Sequence, residues 1–204
     1  MLVKQRPLEA FGNAFEEWLL INDLPIVVTG GPCTGKSSTI RDFEATGLPV
    51  AHEEAARLIK EGTPSLQHNF WEFQVELAKR QMQAERALTA GHPRTIADRG
   101  VYDNIAYCLL KGEVPRFFRD LPHARYRLAF LMEPLGIWVN DGVRKEDLAF
   151  TKVITPLFER AYEERAVPVI RVPAFSTDET ESRAMRKGFI LSQVEVHLGL
   201  KLVA

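Results

Sequence analysis

The stretch IVVTGGPCTGKSSTI, residues 26–40, opens on four β-branched residues and stops at Gly30. Such a run reads as a buried strand. Gly30, Gly35, Lys36 and Ser37 satisfy the spacing G-x-x-x-x-G-K-[ST]. Each position has a physical reason. The glycines let the backbone turn and bring its N–H groups close to phosphate oxygens. The helix that follows offers the positive end of its dipole to the anion. Lys36 supplies a point charge for β- and γ-phosphates, and the Ser37 hydroxyl is an oxygen ligand for Mg²⁺. The expected cradle is therefore Gly30, Gly31, Pro32, Cys33, Thr34, Gly35, Lys36, Ser37 and Ser38. Within it, Cys33 reads as a small residue that fits. The alternative is a thiol activated by Lys36 and the helix N-terminus.

Outward from this loop, strand-like and helical segments alternate, which implies a parallel sheet with helices on both faces. Strands are expected at residues 25–28, 48–51, 94–98, 126–132 and 167–172. Helices are expected at 36–45, 53–60, 69–89, 101–110 and 145–166. Gly47 and Gly62 can close two of them in the left-handed conformation. Ser176 and Glu179 form a capping-box pattern for a last helix. Ahead of the first strand, Leu8, Phe11, Phe15, Trp18 and Leu19 fall at helical spacing, so residues 7–21 are expected to form an amphipathic helix. It is read as packing on the domain, with a homodimer contact as the second reading. The expected fold class is α/β, a P-loop NTPase with a five-stranded parallel sheet and helices on both faces, in one domain spanning residues 1–204.

Composition narrows the partners. The chain has 204 residues, 46% hydrophobic and 26% charged, with a formal net charge of −1. No global basic field recruits nucleic acid. No apolar run is long enough for a membrane span or a secretory signal. Cys33 and Cys108 give neither a metal-like nor a disulfide-like spacing, so a reducing cytoplasm is the expected home.

Phosphoryl transfer also needs a metal-holding carboxylate, a group that orients the nucleophile, and cations for developing charge. In α/β sheets these lie at the carboxyl ends of strands. Glu53 and Glu54 follow the second strand; Asp98 and Arg99 follow the third. Asp98 is the expected Mg²⁺ carboxylate, because its strand should neighbour the first. Glu54 is expected to take a proton from an acceptor hydroxyl, and Arg57 lies one helical turn beyond it. Arg144 and Lys145, in VNDGVRKED after the fourth strand, sit where a lid would carry an arginine to the transferring phosphate. On the long helix, the Gln74 amide can make paired hydrogen bonds to a base edge or carboxamide, and Trp71 can stack. Each of these residues also has a plain structural reading, as a solvated charge or a packing group.

In chain order, TGGPCTGKSS, HEEAARLI, FQVELAKRQ, DRGVYDNIAY and WVNDGVRKED resemble the AAA-type ATPase family that includes NadR kinase-like domains and Ttd14-like proteins. The resemblance spans about residues 26–196. It implies a kinase-like fold and Mg·NTP binding. Glu54 and Arg57 fall on its E-A-A-R element, Asp98 and Arg99 on D-R-G, and Arg144 on D-G-V-R. NadR domains phosphorylate nicotinamide riboside, whereas Ttd14-like members are similar to nucleotide-dependent switches. A second resemblance, to deoxynucleoside kinases, places Gln74 as the base reader, with Asp98 and Arg99 serving metal and phosphate. Gly100 stands where those enzymes have serine.

Two classes of function follow. The favoured one is a kinase that moves the γ-phosphoryl of Mg·ATP to a hydroxyl of a nucleoside-like metabolite. The other is a regulatory ATPase or GTPase switch that acts through a protein or lipid partner. No guanine-reading Asn/Lys-x-Asp pattern stands out, and ATP and GTP are not separated.

Overall fold

The computed structural model describes residues 24–32, 34–62, 64–89, 94–135, 148–176, 178–199 and 202. The expected helix at 7–21, Cys33, Arg144 and Lys145 lie outside the described residues.

Five strands form one parallel sheet: β1 (Ile26–Thr29), β2 (Val50–Ala51), β3 (Ile96–Asp98), β4 (Ala129–Met132) and β5 (Val169–Val172). Their spatial order is β2-β3-β1-β4-β5. Every residue of β1 and β4 is buried, as a strand covered on both faces requires. The helices are α1 (Lys36–Glu44), α2 (Ala55–Glu61), α3 (Phe70–Thr89), α4 (Val101–Leu110), α5 (Arg116–Arg119) and α6 (Leu148–Glu163) between strands, and α7 (Glu179–Leu198) after β5.

The period of two along each strand sorts the core into two layers. Ile26 and Val28 point to one face and meet Ile40 and Phe43 of α1 and Ile190 and Val194 of α7. Val27 points to the other face, among Tyr102 and Ile105 of α4 and Phe158 and Tyr162 of α6. Helix α3 closes that second layer through the fully buried Ala78, with Phe70, Val75 and Met82 packed against it.

Most expected elements appear within a few residues of their predicted bounds. Gly47 and Gly62 take left-handed φ of 82° and 74° after α1 and α2. Helix α5 was not anticipated; four residues are too few to establish a period. The opening of α7 differs from the Ser176–Glu179 pattern. Asp178 is the N-cap, and its carboxylate accepts from the Glu181 N–H at 2.8 Å. Ser176 stands two positions outside: its hydroxyl accepts from the Asp178 N–H and donates to the Glu181 carboxylate. A charged acceptor nearer the helix end displaces the serine from the cap.

The sheet order sets the position of the site. From β1 the chain passes to β2 and β3 on one side and to β4 and β5 on the other. The crevice where such paths diverge, at the carboxyl ends of the strands, is where ligands bind in open α/β sheets. The phosphate loop leaves β1 at this point.

Candidate active site

The loop turns as its sequence demands. Gly35 caps α1 with φ 74° and ψ 10°, a left-handed conformation that side-chain-bearing residues rarely adopt. At Gly31 the constraint is room. A Cβ there would lie 2.6 Å from the Thr151 methyl on α6. Lys36 opens α1 with its side chain buried, while Ser37 is exposed at the helix N-terminus.

The Lys36 ammonium donates to the Asp98 carboxylate and lies 3.7 Å from Glu53 Oε2. Asp98 reaches it because β3 pairs directly with β1, Val28 standing opposite Asp98. Glu53 Oε1 is 3.0 Å from Arg99 Nε, and Arg99 Nη1 donates to Asp103 Oδ2 at 2.9 Å. The Arg99 guanidinium also lies over the Phe158 ring, 5.6 Å from its centroid. Asp103 is fully buried. It accepts from the Thr29 hydroxyl at 2.7–2.8 Å and from the Tyr162 hydroxyl at 2.6 Å. Burial raises the Asp103 pKa, against the pull of Arg99 and these hydroxyls. Two cations, Lys36 and Arg99, thus stand among three carboxylates, Glu53, Asp98 and Asp103.

The D-R-G turn is held from beneath. Arg99 has φ 63°, its N–H donates to Val28 O at 3.0 Å, and its carbonyl accepts from the Gln81 amide at 3.1 Å. The Val101 N–H donates to the Tyr126 hydroxyl, which in turn donates to Glu85; both distances are 2.7 Å. Burial pushes the Glu85 carboxyl up to about 7, with Tyr126 and Arg125 acting the other way. Gly100 needs its hydrogen because a Cβ would meet the hydroxyls of Tyr126 and Tyr162 at 2.7 Å. The serine that stands here in deoxynucleoside kinases has no space in this chain.

The remaining expected residues divide. Gln74 is buried, 4% exposed, on the same stripe of α3 as Ala78, Gln81 and Glu85. Gln81 bonds the Arg99 carbonyl, and Gln74 stands seven residues nearer the N-terminus of α3, about 10 Å along the helix axis. Its Oε1 has no hydrogen-bond partner. Glu54 has a buried Oε2 with no hydrogen-bond partner. It lies 3.5 Å from Arg57, and both line a cavity of about 580 Å³ between α2 and α3. The structure therefore brings Lys36, Asp98, Arg99 and Glu53 together and sets Glu54 and Arg57 on the neighbouring wall. Trp71 packs edge-on against Phe70 at 4.9 Å. Among the described residues no three His, Cys, Asp or Glu side chains form a metal cage, and no helix is long and apolar enough to cross a membrane. One or two carboxylates beside a phosphate loop are enough for Mg²⁺, which takes much of its shell from phosphates and water.

Glu53, just after β2, faces the loop as its place after the strand implies, and pairs with Lys36 and Arg99. One further group at the site, Asp103, is a motif neighbour rather than a motif residue. It sits at i+4 from Arg99, the spacing of a helical ion pair, and could have been found that way.

Solved structures share this fold. Deoxyadenosine kinase from M. mycoides, with dCMP and dCDP bound, superposes with a TM-score of 0.60 at 11% identity, over 85% of this chain and 99% of that one. NadR protein in complex with NR gives a TM-score of 0.68 at 15% identity, over 94% of this chain; the match spans 57% of the NadR chain. Thymidylate kinase from Ehrlichia chaffeensis gives 0.57 at 12% identity, over 85% and 99%. No curated protein sequence matches the chain. An AAA domain family model matches residues 25–181, well over half the chain, and the protein belongs to that family of AAA domains.

Proposed function

We propose that this protein is a small-molecule kinase, transferring the γ-phosphoryl of ATP to a hydroxyl of a nucleoside-like acceptor. The observation that carries the proposal is the Gln74 amide, buried on the stripe of α3 whose Gln81 holds the D-R-G turn, with its oxygen unpartnered. An orphaned buried polar group is costly unless a ligand completes it. A nucleotide switch has no need of such a group one helix away from its phosphates; a kinase needs a second site there.

The residues present suit Mg·triphosphate. The cradle of Gly30 to Ser38 would hold the phosphates, with Lys36 as their cation, and Ser37 and Asp98 would hold Mg²⁺. Bound there, Mg²⁺ neutralises charge on the phosphates and fixes their geometry. Lys36, now drawn to Asp98 and Glu53, would turn to the phosphate oxygens and release the Glu53 carboxylate on that side. Glu53, kept in place by Arg99, would accept the proton of the acceptor hydroxyl. The new bond joins that oxygen to the γ-phosphorus, the bond to the ADP oxygen breaks, and Arg99 offsets the charge. Gln74 would read a base edge or carboxamide of the acceptor, with Glu54 and Arg57 on the adjoining wall.

A panel of nucleosides and vitamin nucleosides, incubated with Mg·ATP, tests this. Product is expected with at least one acceptor and none with Lys36→Ala. Wild-type product no greater than that control across the panel would sink the kinase reading.

A further inference from the structure

We infer that Arg186 and Thr151, on helices remote in sequence from the phosphate loop, are positioning residues that turn its carbonyls away from the bound triphosphate. The inference rests on the reading that this loop holds a triphosphate, and it names what shapes the loop for that purpose.

Four carbonyls of the loop have side-chain donors. The Thr34 hydroxyl donates to Gly31 O at 2.9 Å and the Thr39 hydroxyl to Gly35 O at 3.2 Å, both local bonds. The other two donors arrive from outside. Thr151 of α6 donates to Pro32 O at 3.1 Å, and Arg186 of α7 donates through Nη1 to Thr34 O. Thr151 and Arg186 are each 1% exposed. Arg186 spends its other nitrogens on Pro173 O at 2.8 Å and Glu133 O at 2.6 Å. One guanidinium thereby joins the phosphate loop to the chain just after β4 and just after β5. Burial lowers its pKa to about 10, which leaves it charged at neutral pH.

The chemistry of the peptide unit gives these bonds their consequence. A trans peptide is planar, and its C=O and N–H point opposite ways. Pinning Thr34 O against α7 therefore turns the Gly35 N–H away from that helix, toward the concave side. Pinning Gly35 O does the same for the Lys36 N–H. A nest of N–H groups binds an anion only while its carbonyls stay outside. A free peptide can rotate, and a carbonyl turned inward would face the phosphates with its negative end. Gly31 and Gly35 make such rotation easy, having no side chain to oppose it. Arg186 and Thr151 supply the restraint that the glycines lack.

The test uses the full chain, with Mg·tripolyphosphate and Mg·ATP displacing a fluorescent nucleotide. Thr151→Val keeps the shape and removes the donor; Thr151→Ser keeps the donor. Arg186→Lys keeps the charge and loses the fork. Measurements are made well below each variant's Tm. Losing one such bond is expected to weaken binding about three- to tenfold for Thr151→Val, and more for Arg186→Lys. Thr151→Ser should bind within about twofold of wild type. If Arg186→Lys does not fold, the Thr151 pair decides alone. Thr151→Val binding as tightly as wild type, or Thr151→Ser as weak as Thr151→Val, overturns the inference. A wild type that binds neither ligand overturns it together with the kinase reading.

Discussion

Replacing Gly100 with alanine would drive a methyl carbon to 2.7 Å from the hydroxyl oxygens of Tyr126 and Tyr162. The backbone does not object, because φ at Gly100 is −125°, open to any residue. The cost is one of space and of bonds. Overpacking a full core costs about 1–3 kcal/mol. To make room, a tyrosine must withdraw its hydroxyl, Tyr162 from Asp103 or Tyr126 from the Val101 N–H. Leaving such a buried group short of a partner costs about 1–3 kcal/mol. The two effects overlap, since one ring movement produces both, so about 3 kcal/mol is expected. For a chain of this size that lowers Tm by roughly 6–12 °C. Urea unfolding of wild type, Gly100→Ala, Tyr162→Phe and the double variant measures it. Removing the Tyr162 hydroxyl relieves one of the two clashes, so the double variant should be more stable than the sum of singles by about 1 kcal/mol. A single-variant loss under about 1 kcal/mol, or additivity within about 0.5 kcal/mol, would refute the packing argument.

Other expectations follow from the same structure. Glu85 has its pKa raised to about 7 from 4.5, so the folded state binds the extra proton between these values. Stability from this group is full below about pH 4.5 and falls as pH rises through about 7. The stability of Glu85→Gln relative to wild type should therefore improve from pH 5 to pH 8, by about 2–3 kcal/mol in parallel urea titrations; a pH-independent difference would contradict it. Gln74→Leu removes an unsatisfied buried oxygen, so its Tm should hold or rise while acceptor KM climbs at least tenfold and ATP affinity stays unchanged. Unaltered acceptor kinetics would remove Gln74 from the site. Asp178→Ala strips the N-cap of α7 and should cost about 1 kcal/mol, or roughly 2–4 °C in Tm, by thermal scan.

Much of this was legible in the sequence wherever the signal was local. The β-branched run, the glycines and Lys36 place strand, loop and helix within fifteen residues. Asp98 was readable because a carboxylate at the end of a strand paired with β1 must approach the loop. Which of Glu53 and Glu54 pairs with Lys36 was not readable. Both lie at the junction of β2 and α2, but Glu54 already has helical φ and ψ of −86° and −7°, which swings its side chain toward Arg57. One residue of offset decides which carboxylate sees Lys36. Arg186 was hidden for a different reason: its partner Thr34 lies 152 positions away. Its only trace is the stripe of Ser182, Arg186, Ile190 and Val194, where a cation stands on a buried helical face. Asp103, Tyr126 and Tyr162 likewise meet only once α4 and α6 are packed.

The crowding around Gly100 also sets an order on the substitutions open to this chain. A serine there cannot be accepted while both tyrosines keep their hydroxyls. Losing either tyrosine first strips a donor from Asp103 or from Glu85. Every single step toward the alternative motif thus passes through a less stable protein. Glycine at this turn is therefore held by the packing of Tyr126 and Tyr162 around it.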